Sequence, residues 1–509
     1  MNDTMRVKVT TINALTNYFR FFLTIVISFW LIPFIIRSLG QEIYGLWALS
    51  FSIIGFFSLL DFGFGLGVVK WTGEARINGK TEYRNAILST VLFIYIILAL
   101  AGMAILVLFS LFYGRLFSIP SELVPVAVTI LLILGVRSLL IQIPMSLFKG
   151  VLFGEQKIYL INVIQILSTV VYAASAYLAL EQDLGVVGLA SVNCLAFFAE
   201  NLLYLFFALR KTQKLSLSLK KVKKQYVREA LSFSIYSFIT TVAGLVLFQT
   251  DTLIVQLALN LELVGIYAVA QKIHEYSFLL SKQLVNVLTP LISEMKEKQE
   301  HGAIRYLLLD LSTYITATGA LITFTIYAFG GELLTFWVGP QFLEAAVPLF
   351  ILMTAFLVTI PELIASSVLM MTGDHVFTAK ISVTSIFVNL GVSLILVRFL
   401  GLTGIALGTL ASVILNNVIF TLHRASRLYD FPYHRYLTKV YLPVILPGAV
   451  LVGTGFLVKY FFPVHSLWDM ILKCIPGIGV YLILFWIFSV DRAMKQKVRK
   501  KIAFRGRRS

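Results

Sequence analysis

The chain has 509 residues, 59% of them hydrophobic and 13% charged, with a net charge of +17. Soluble domains carry about 25% charged residues, so the composition excludes a soluble globular enzyme and points to an integral membrane protein. A surplus of cations could also mean nucleic-acid binding, but their placement along the chain, set out below, fits membrane topology instead.

About twenty apolar residues cross a hydrocarbon core roughly 30 Å thick. Fourteen such segments can be read, near 12–37, 42–67, 85–113, 123–148, 158–180, 184–209, 230–258, 262–291, 305–329, 344–371, 376–399, 402–422, 438–460 and 467–489. None alternates apolar and polar residues with period two, so they read as helices and not as barrel strands. Met1 to Thr11 is polar, and the apolar run behind it is longer than a signal-peptide core, so the first segment is expected to stay and insert as a helix.

The first segment carries Asn13, Asn17, Arg20, Thr24 and Ser28 at helical spacing, on one face. A charge at mid-bilayer costs about 2.5–3.5 kcal/mol on insertion scales, so Arg20 either snorkels to the inner surface or has a task. The second segment ends in DFGFGLG, Asp61 to Gly67. This run closes a membrane helix and does not follow a strand, so its glycines read as sites of bending or close helix contact and not as a phosphate loop. Lys70 reads as a snorkelling anchor. Arg137 lies in the middle of the fourth segment with no acid near it in sequence, and Glu200 lies in the sixth; a pair between them is one option. Cys194 and Cys474 fall inside predicted helices as small packing residues, and no metal-ligand spacing exists.

Residues 1–210 form a predicted first six-helix lobe, and 211–229 a basic cytoplasmic connector, KTQKLSLSLKKVKKQYVR followed by Glu229. The connector reads as a segment lying on the anionic inner leaflet or as a solvated linker. In the seventh segment Ser237, Thr241, Gly244 and Asp251 are the polar positions, with Asp251 near the outer end as a rim residue or an ion-coupling carboxylate. The eighth segment carries the longest polar stripe: Lys272, Glu275, Lys282, Asn286, Thr289 and Ser293, with Leu279 the single apolar member. Such a stripe lines a hydrated cavity or consists of internal pairs such as Lys272 with Glu275. Glu362 follows Pro361 in the tenth segment, where the proline frees backbone groups, and Lys380 reads as an inner-surface anchor. Residues 230–424 form a second six-helix lobe, 425–489 a linker and helices thirteen and fourteen, and 490–509 a basic cytoplasmic tail.

Two halves repeat. GEQKIYLINVIQ from Gly154 answers GDHVFTAKISVT from Gly373, and LGVVGLASVNCLAFFAENLL answers LGLTGIALGTLASVILNNVI. YGLWA from Tyr44 answers VGIYA from Val264, at an offset of 220 residues. Parallel repeats of this kind belong to transporters, with the site where the halves meet. Charge then orients the chain. The N-terminal segment, the loops after even-numbered segments and the tail hold 33 of the 42 Lys and Arg, whereas the loops after odd-numbered segments hold four. The positive-inside rule puts both termini in the cytoplasm. The deep cations Arg20, Arg137, Lys272 and Lys282 outnumber the deep acids Glu200, Glu275 and Glu362, which suits an anionic cargo, since an Arg fork grips phosphate bidentately. There is no Walker A, GxSxG or HExxH pattern, and the predicted outer loops are too short for a catalytic domain, so an enzyme is not expected and no cofactor is implied.

RSLGQEIYGLWA after the first segment, DFGFGLG, and DTLIVQLALNLELVGIYAVAQKI across the seventh and eighth resemble the bacterial polysaccharide flippases of the multidrug/oligosaccharidyl-lipid/polysaccharide exporter superfamily. The resemblance covers segments one to twelve in order, and the extra terminal pair fits it. It implies an all-α membrane fold of two six-helix lobes related by a pseudo-twofold axis along the membrane normal, plus a terminal helix pair. It implies alternating access, and a polyprenyl-diphosphate-linked oligosaccharide carried from the inner to the outer leaflet of the bacterial plasma membrane for cell-surface polysaccharide assembly. Related lipid II flippases use basic residues on helices one and eight, which carries over to Arg20 and Lys272; helices thirteen and fourteen border a groove for the lipid tail in those proteins. The expected site is Arg20, Asn17, Thr24, Arg137, Lys272, Glu275, Lys282 and Asn286, with Asp251, Glu275, Glu200 and Glu362 as candidates for proton or Na⁺ coupling. Expected partners are the lipid-linked oligosaccharide, anionic lipids at the connector and tail, and the polymerase and glycosyltransferases of the same assembly line, with no nucleic acid. The alternatives are a lipid II-type precursor flippase and a cation-coupled drug exporter; the latter should carry cavity acids, and the first segment has Arg20 and none.

Overall fold

The computed structural model describes the backbone of residues 3–286, 288–490 and 495, and side chains from residue 11 onward within that range, apart from 233, 235–237, 239–241, 243–244, 246–248, 286, 289–290, 375 and 379. Asn286, Ser237, Thr241, Gly244 and Thr289 therefore lie outside the described side chains, and the basic tail outside the described residues apart from Val490 and residue 495. The fold is helical throughout, with no strand among the described residues. All fourteen predicted segments fall on helices. Among the described residues, twelve helices are long and apolar enough to cross a membrane. The seventh and eighth segments are helical but not among the twelve; in the eighth, Lys272, His274 and Glu275 interrupt the apolar run.

Two compact units form, Met1–Ala268 and Val269–Ser509. The first contains α1 (Asp3–Leu39), α2 (Gln41–Phe57), α3 (Phe64–Asn78), α4 (Thr81–Leu116), α5 (Val124–Gly135), α6 (Ile143–Gly154), α7 (Ile158–Glu181), α8 (Gly185–Lys211), α9 (Lys224–Ala258) and the start of α10 (Leu261–Asn286). Here α1 packs on α7, α7 on α8, α6 on α3 and α8, and α9 on α2, α3 and α4. In DFGFGLG the chain turns through two left-handed residues, Phe62 at φ 48° and Gly63 at φ 76°, which separates α2 from α3. The run thus bends the membrane helix, as its glycines require.

The second unit holds the rest of α10, then α11 (Thr289–Glu297), α12 (His301–Tyr306), α13 (Ser312–Trp337), α14 (Ala346–Thr372), α15 (His375–Leu400), α16 (Leu402–Val413), α17 (His423–Leu428), α18 (Tyr433–Phe461) and α19 (Leu467–Ser489). Its terminal pair α18 and α19 packs on α13, around Phe324, Phe329, Leu451, Cys474 and Tyr481. Lys439 pairs with Asp310 at 2.6 Å and Lys459 with Glu332 at 2.8 Å, fixing both ends of α18 against the α13 region.

The connector follows a course that composition alone does not reveal. Arg84, 2% exposed near the start of α4, donates from Nη2 to the Gln213 carbonyl at 2.8 Å and lies 3.8 Å from Glu155. Asn85 donates to the Lys214 carbonyl at 2.7 Å, and the Ser89 hydroxyl accepts from the Ser218 N–H at 3.1 Å. Lys157 donates to the Lys211 carbonyl. The segment is therefore stapled along α4 and is not a loose linker, while Lys214, Lys220, Lys223 and Lys224 stay exposed. Removing one partner of a buried ion pair costs about 3–5 kcal/mol. Arg84→Leu is accordingly expected to lower stability by about 3 kcal/mol, read as a fall in melting temperature in detergent and as early proteolysis between 211 and 224.

Candidate functional site

Polar residues of the first unit gather from four helical segments. Arg20 on α1 donates from Nη2 to the Asn17 side chain at 2.9 Å, and its Nε is buried without a hydrogen-bond partner among the described residues. Glu200 on α8 is 8% exposed and accepts from the Tyr204 hydroxyl at 2.8 Å. Arg20, Arg137 and Lys149 each lie within electrostatic reach of Glu200. Three cations thus lie in the neighbourhood of this carboxylate, with no direct ion pair to it among the described residues, on helices long and apolar enough to cross a membrane.

Arg137 owes its position to a local change of helix. Between α5 and α6 the chain runs through a π-helical stretch, Val136–Gln142. Such stretches widen the helix by one residue per turn and concentrate at functional sites. The Arg137 guanidinium lies 4.0 Å from the Phe197 ring centroid and 5.8 Å from that of Phe51, and its Nε has no hydrogen-bond partner among the described residues. The face of an aromatic ring stabilises a cation without competing for its in-plane donors. Donors held in this way are available to an incoming anion.

A cavity of 560 Å³ adjoins the cluster through Lys149 and Ser138. Its polar lining includes Ser58, Asp61, Ser138, Gln142 and Ser146, with Phe153 among its apolar walls. Asp61 accepts from the Tyr95 hydroxyl and from the backbone of Gly63 and Gly65. Hydroxyl and amide groups beside an ammonium can hold a hydroxyl-rich, anionic molecule.

The structure thus brings together Asn17, Arg20, Arg137 and Glu200 of the sequence-predicted set, and adds Lys149 and Tyr204. Thr24 is spent on its own helix, donating to the Arg20 carbonyl at 2.9 Å. Lys272 and Glu275 pair at 2.7 Å on α10, so the internal-pair reading of those two positions holds. Lys282 is exposed, near Phe278. The predicted stripe does not follow one helix: α10 ends at Asn286, and Ser293 sits on α11, donating to the Met371 sulfur at 3.3 Å. Pro290 at the start of α11 accounts for a new helix there. Asp251 is 2% exposed, accepting from the Tyr267 hydroxyl at 2.7 Å. Glu362 is buried and accepts from the Ser366 hydroxyl; near it the Pro361 and Val358 carbonyls accept from Tyr436 and Tyr441. Among the described residues no group of three or more His, Cys, Asp or Glu is placed to hold a metal.

Relatives supply the context. The chain is 24% identical over 466 residues to an uncharacterized membrane protein, EpsK, of Bacillus subtilis, covering 87% of this chain and 88% of that one. It is 24% identical over 291 residues to the probable low-salt glycan biosynthesis flippase Agl15 of Haloferax volcanii, covering 56% of this chain and 60% of that one. Among solved structures, the lipid II flippase MurJ in an inward closed conformation superposes with a TM-score of 0.71 at 16% identity, over 94% of this chain and 98% of that one. A MATE family multidrug transporter in an inward-facing conformation superposes with a TM-score of 0.65 at 15% identity, over 81% and 95%. At such identities these likenesses establish the fold alone. The polysaccharide biosynthesis protein family matches residues 11–296, more than half of the sequence and all of the cationic cluster, and this multi-pass membrane chain belongs to that family.

Proposed function

We propose that the protein is a flippase that carries a polyprenyl-diphosphate-linked oligosaccharide from the inner to the outer leaflet by alternating access, in the assembly of a cell-surface polysaccharide. The observation that carries this reading is the gathering of Arg20, Arg137 and Lys149 near Glu200, with Asp61 the further acid in the lining of the adjoining cavity. In a site with an effective dielectric near 20, a cation about 8 Å from a phosphate charge attracts it by roughly 2 kcal/mol. Three cations against Glu200 and Asp61 leave a net positive site, which favours an anionic headgroup. The adjoining cavity of 560 Å³ offers hydroxyl and amide partners of the kind sugars use. Membership of a polysaccharide biosynthesis family and the likeness to a protein named as a glycan biosynthesis flippase support the same direction.

With no nucleotide-binding motif in the sequence, the driving force in this reading is an ion gradient, with Asp251 or Glu362 as the proton or Na⁺ carrier, or the consumption of cargo outside by a polymerase. Both termini face the cytoplasm, in line with the inward bias of Lys and Arg. The test uses proteoliposomes loaded with a labelled polyprenyl-diphosphate oligosaccharide. Protein-dependent exposure of the glycan to an external oxidant is expected, faster with an imposed proton or Na⁺ gradient than without. Vesicles holding the protein that flip no faster than empty ones would sink the proposal. A lipid II-type precursor as second cargo separates the glycan preference from the shared diphosphate.

A further inference from the structure

A second polar cavity, of 440 Å³, lies where the first turn of α10 reaches α2. Its polar lining comes from Glu42, Ser118, Gln256, Asn260 and Glu262, with no Lys, Arg or His among the lining residues. Glu42 and Glu262 stand 220 residues apart, the offset of the YGLWA and VGIYA repeat, so each half contributes the equivalent carboxylate. The two first turns touch: the Gln41 side chain donates to the Glu262 carbonyl at 3.4 Å. Asn260 uses its side-chain oxygen to accept from the Leu263 N–H at 2.9 Å, which caps α10.

Acids in a first helical turn are common, because they complement the helix dipole. Gln256 shows that this place is more than that. It is 4% exposed, and its Nε2 donates to the Phe117 carbonyl at 2.7 Å, which fixes the orientation of the amide. Its Oε1 is then buried with no hydrogen-bond partner among the described residues. An unsatisfied buried acceptor costs about 1–3 kcal/mol. The cavity is therefore lined by two carboxylates and by Gln256, whose amide oxygen is buried without a partner among the described residues, with no Lys, Arg or His among the lining residues. Oxygen ligands of this number and net charge suit a hard divalent cation, and the mixed amide and carboxylate set on separate segments suits the larger, more irregular shell of calcium over the strict octahedron of magnesium.

We propose that this cavity binds a calcium ion through Glu42, Glu262 and Gln256 Oε1, joining the first turns of α2 and α10. The inward bias of basic loops puts these turns on the outer surface. Two carboxylates in an open cleft predict a dissociation constant on the order of 1 mM, in the range of extracellular calcium modules.

The test uses the purified full-length protein in detergent after chelation. Calcium is expected to raise the melting temperature along a saturable curve with a millimolar midpoint, and magnesium to need about tenfold more. E42Q/E262Q should abolish the saturable part, and Q256M should weaken it about tenfold, the share of one lost oxygen ligand. Equilibrium dialysis against radioactive calcium on the single variants E42Q and Q256M gives the same reading without a melt, should the double variant not fold. A response equal to that of potassium chloride at matched ionic strength, or unchanged calcium binding in all three variants, would overturn the site.

Discussion

Arg137→Met is expected to abolish surface glycan in a complementation assay while leaving the protein folded in the membrane. The guanidinium is held on Phe197 and Phe51, with no direct ion pair among the described residues. A side chain held in that way contributes little to stability beyond its packing, and replacing a buried charge with an apolar group of similar volume is often neutral or stabilising. The melting temperature of Arg137→Met is therefore expected to stay level or rise. Transport should fall about 10- to 100-fold, the equivalent of one lost charge-assisted hydrogen bond to phosphate at roughly 1.5–3 kcal/mol. Arg137→Lys keeps the charge and loses the fork, so it should land between the two. Glu200→Gln is the counterpart: with its carboxylate gone, the three cations face the cargo with one acid fewer to oppose them, and tighter cargo binding with slower release is expected. A loss of stability in Arg137→Met that matched its loss of transport would assign the residue a structural role.

The sequence exposes three of the four charges of this cluster for a physical reason. Arg20, Arg137 and Glu200 stand out because each is a charge deep in a hydrophobic run, where burial is expensive. Lys149 does not stand out. It lies toward the end of α6 among residues that read as an inner loop, one of many positive-inside lysines, and only packing brings it to Glu200, 51 residues further on. The connector misleads in the opposite sense. Its lysines dominate its composition, yet its course is set by Arg84, Asn85 and Ser89 on α4, which meet backbone groups rather than side chains and so leave no trace in the sequence pattern. The stripe on the eighth segment shows the limit of periodicity: helical spacing continues to be readable past Asn286, but Pro290 starts a new helix and sends Ser293 toward Met371. Helix positions themselves were legible throughout, because in a bilayer every backbone group must be satisfied within its own segment.

Gly45→Ala is expected to be among the most damaging small substitutions in the chain. The YGLWA and VGIYA copies meet in the first unit, glycine to glycine. A methyl group on Gly45 would overlap the Leu261 carbonyl oxygen and lie 3.1 Å from the Gly265 nitrogen; one on Gly265 would lie 2.7 Å from the Gln41 carbonyl oxygen. These neighbours are backbone atoms, so no side chain can turn aside to make room. Overpacking of this kind costs about 1–3 kcal/mol, and more where the backbone itself must shift; about 3 kcal/mol is expected here. Gly391→Ala is the control: it lies inside α15, and nothing sits within 4 Å of the added carbon. Helix propensity should make that change stabilising by about 1 kcal/mol or less. Melting in detergent compares the two, and surface glycan reports the consequence. Because Gly45 and Gly265 occupy equivalent places in the repeat, Gly265→Ala should reproduce the Gly45→Ala defect, and the double substitution should cost less than the sum of the singles, since the first methyl already forces the helices apart. An additive double, or a silent Gly45→Ala, would mean that α2 and α10 do not cross in this close contact in the membrane.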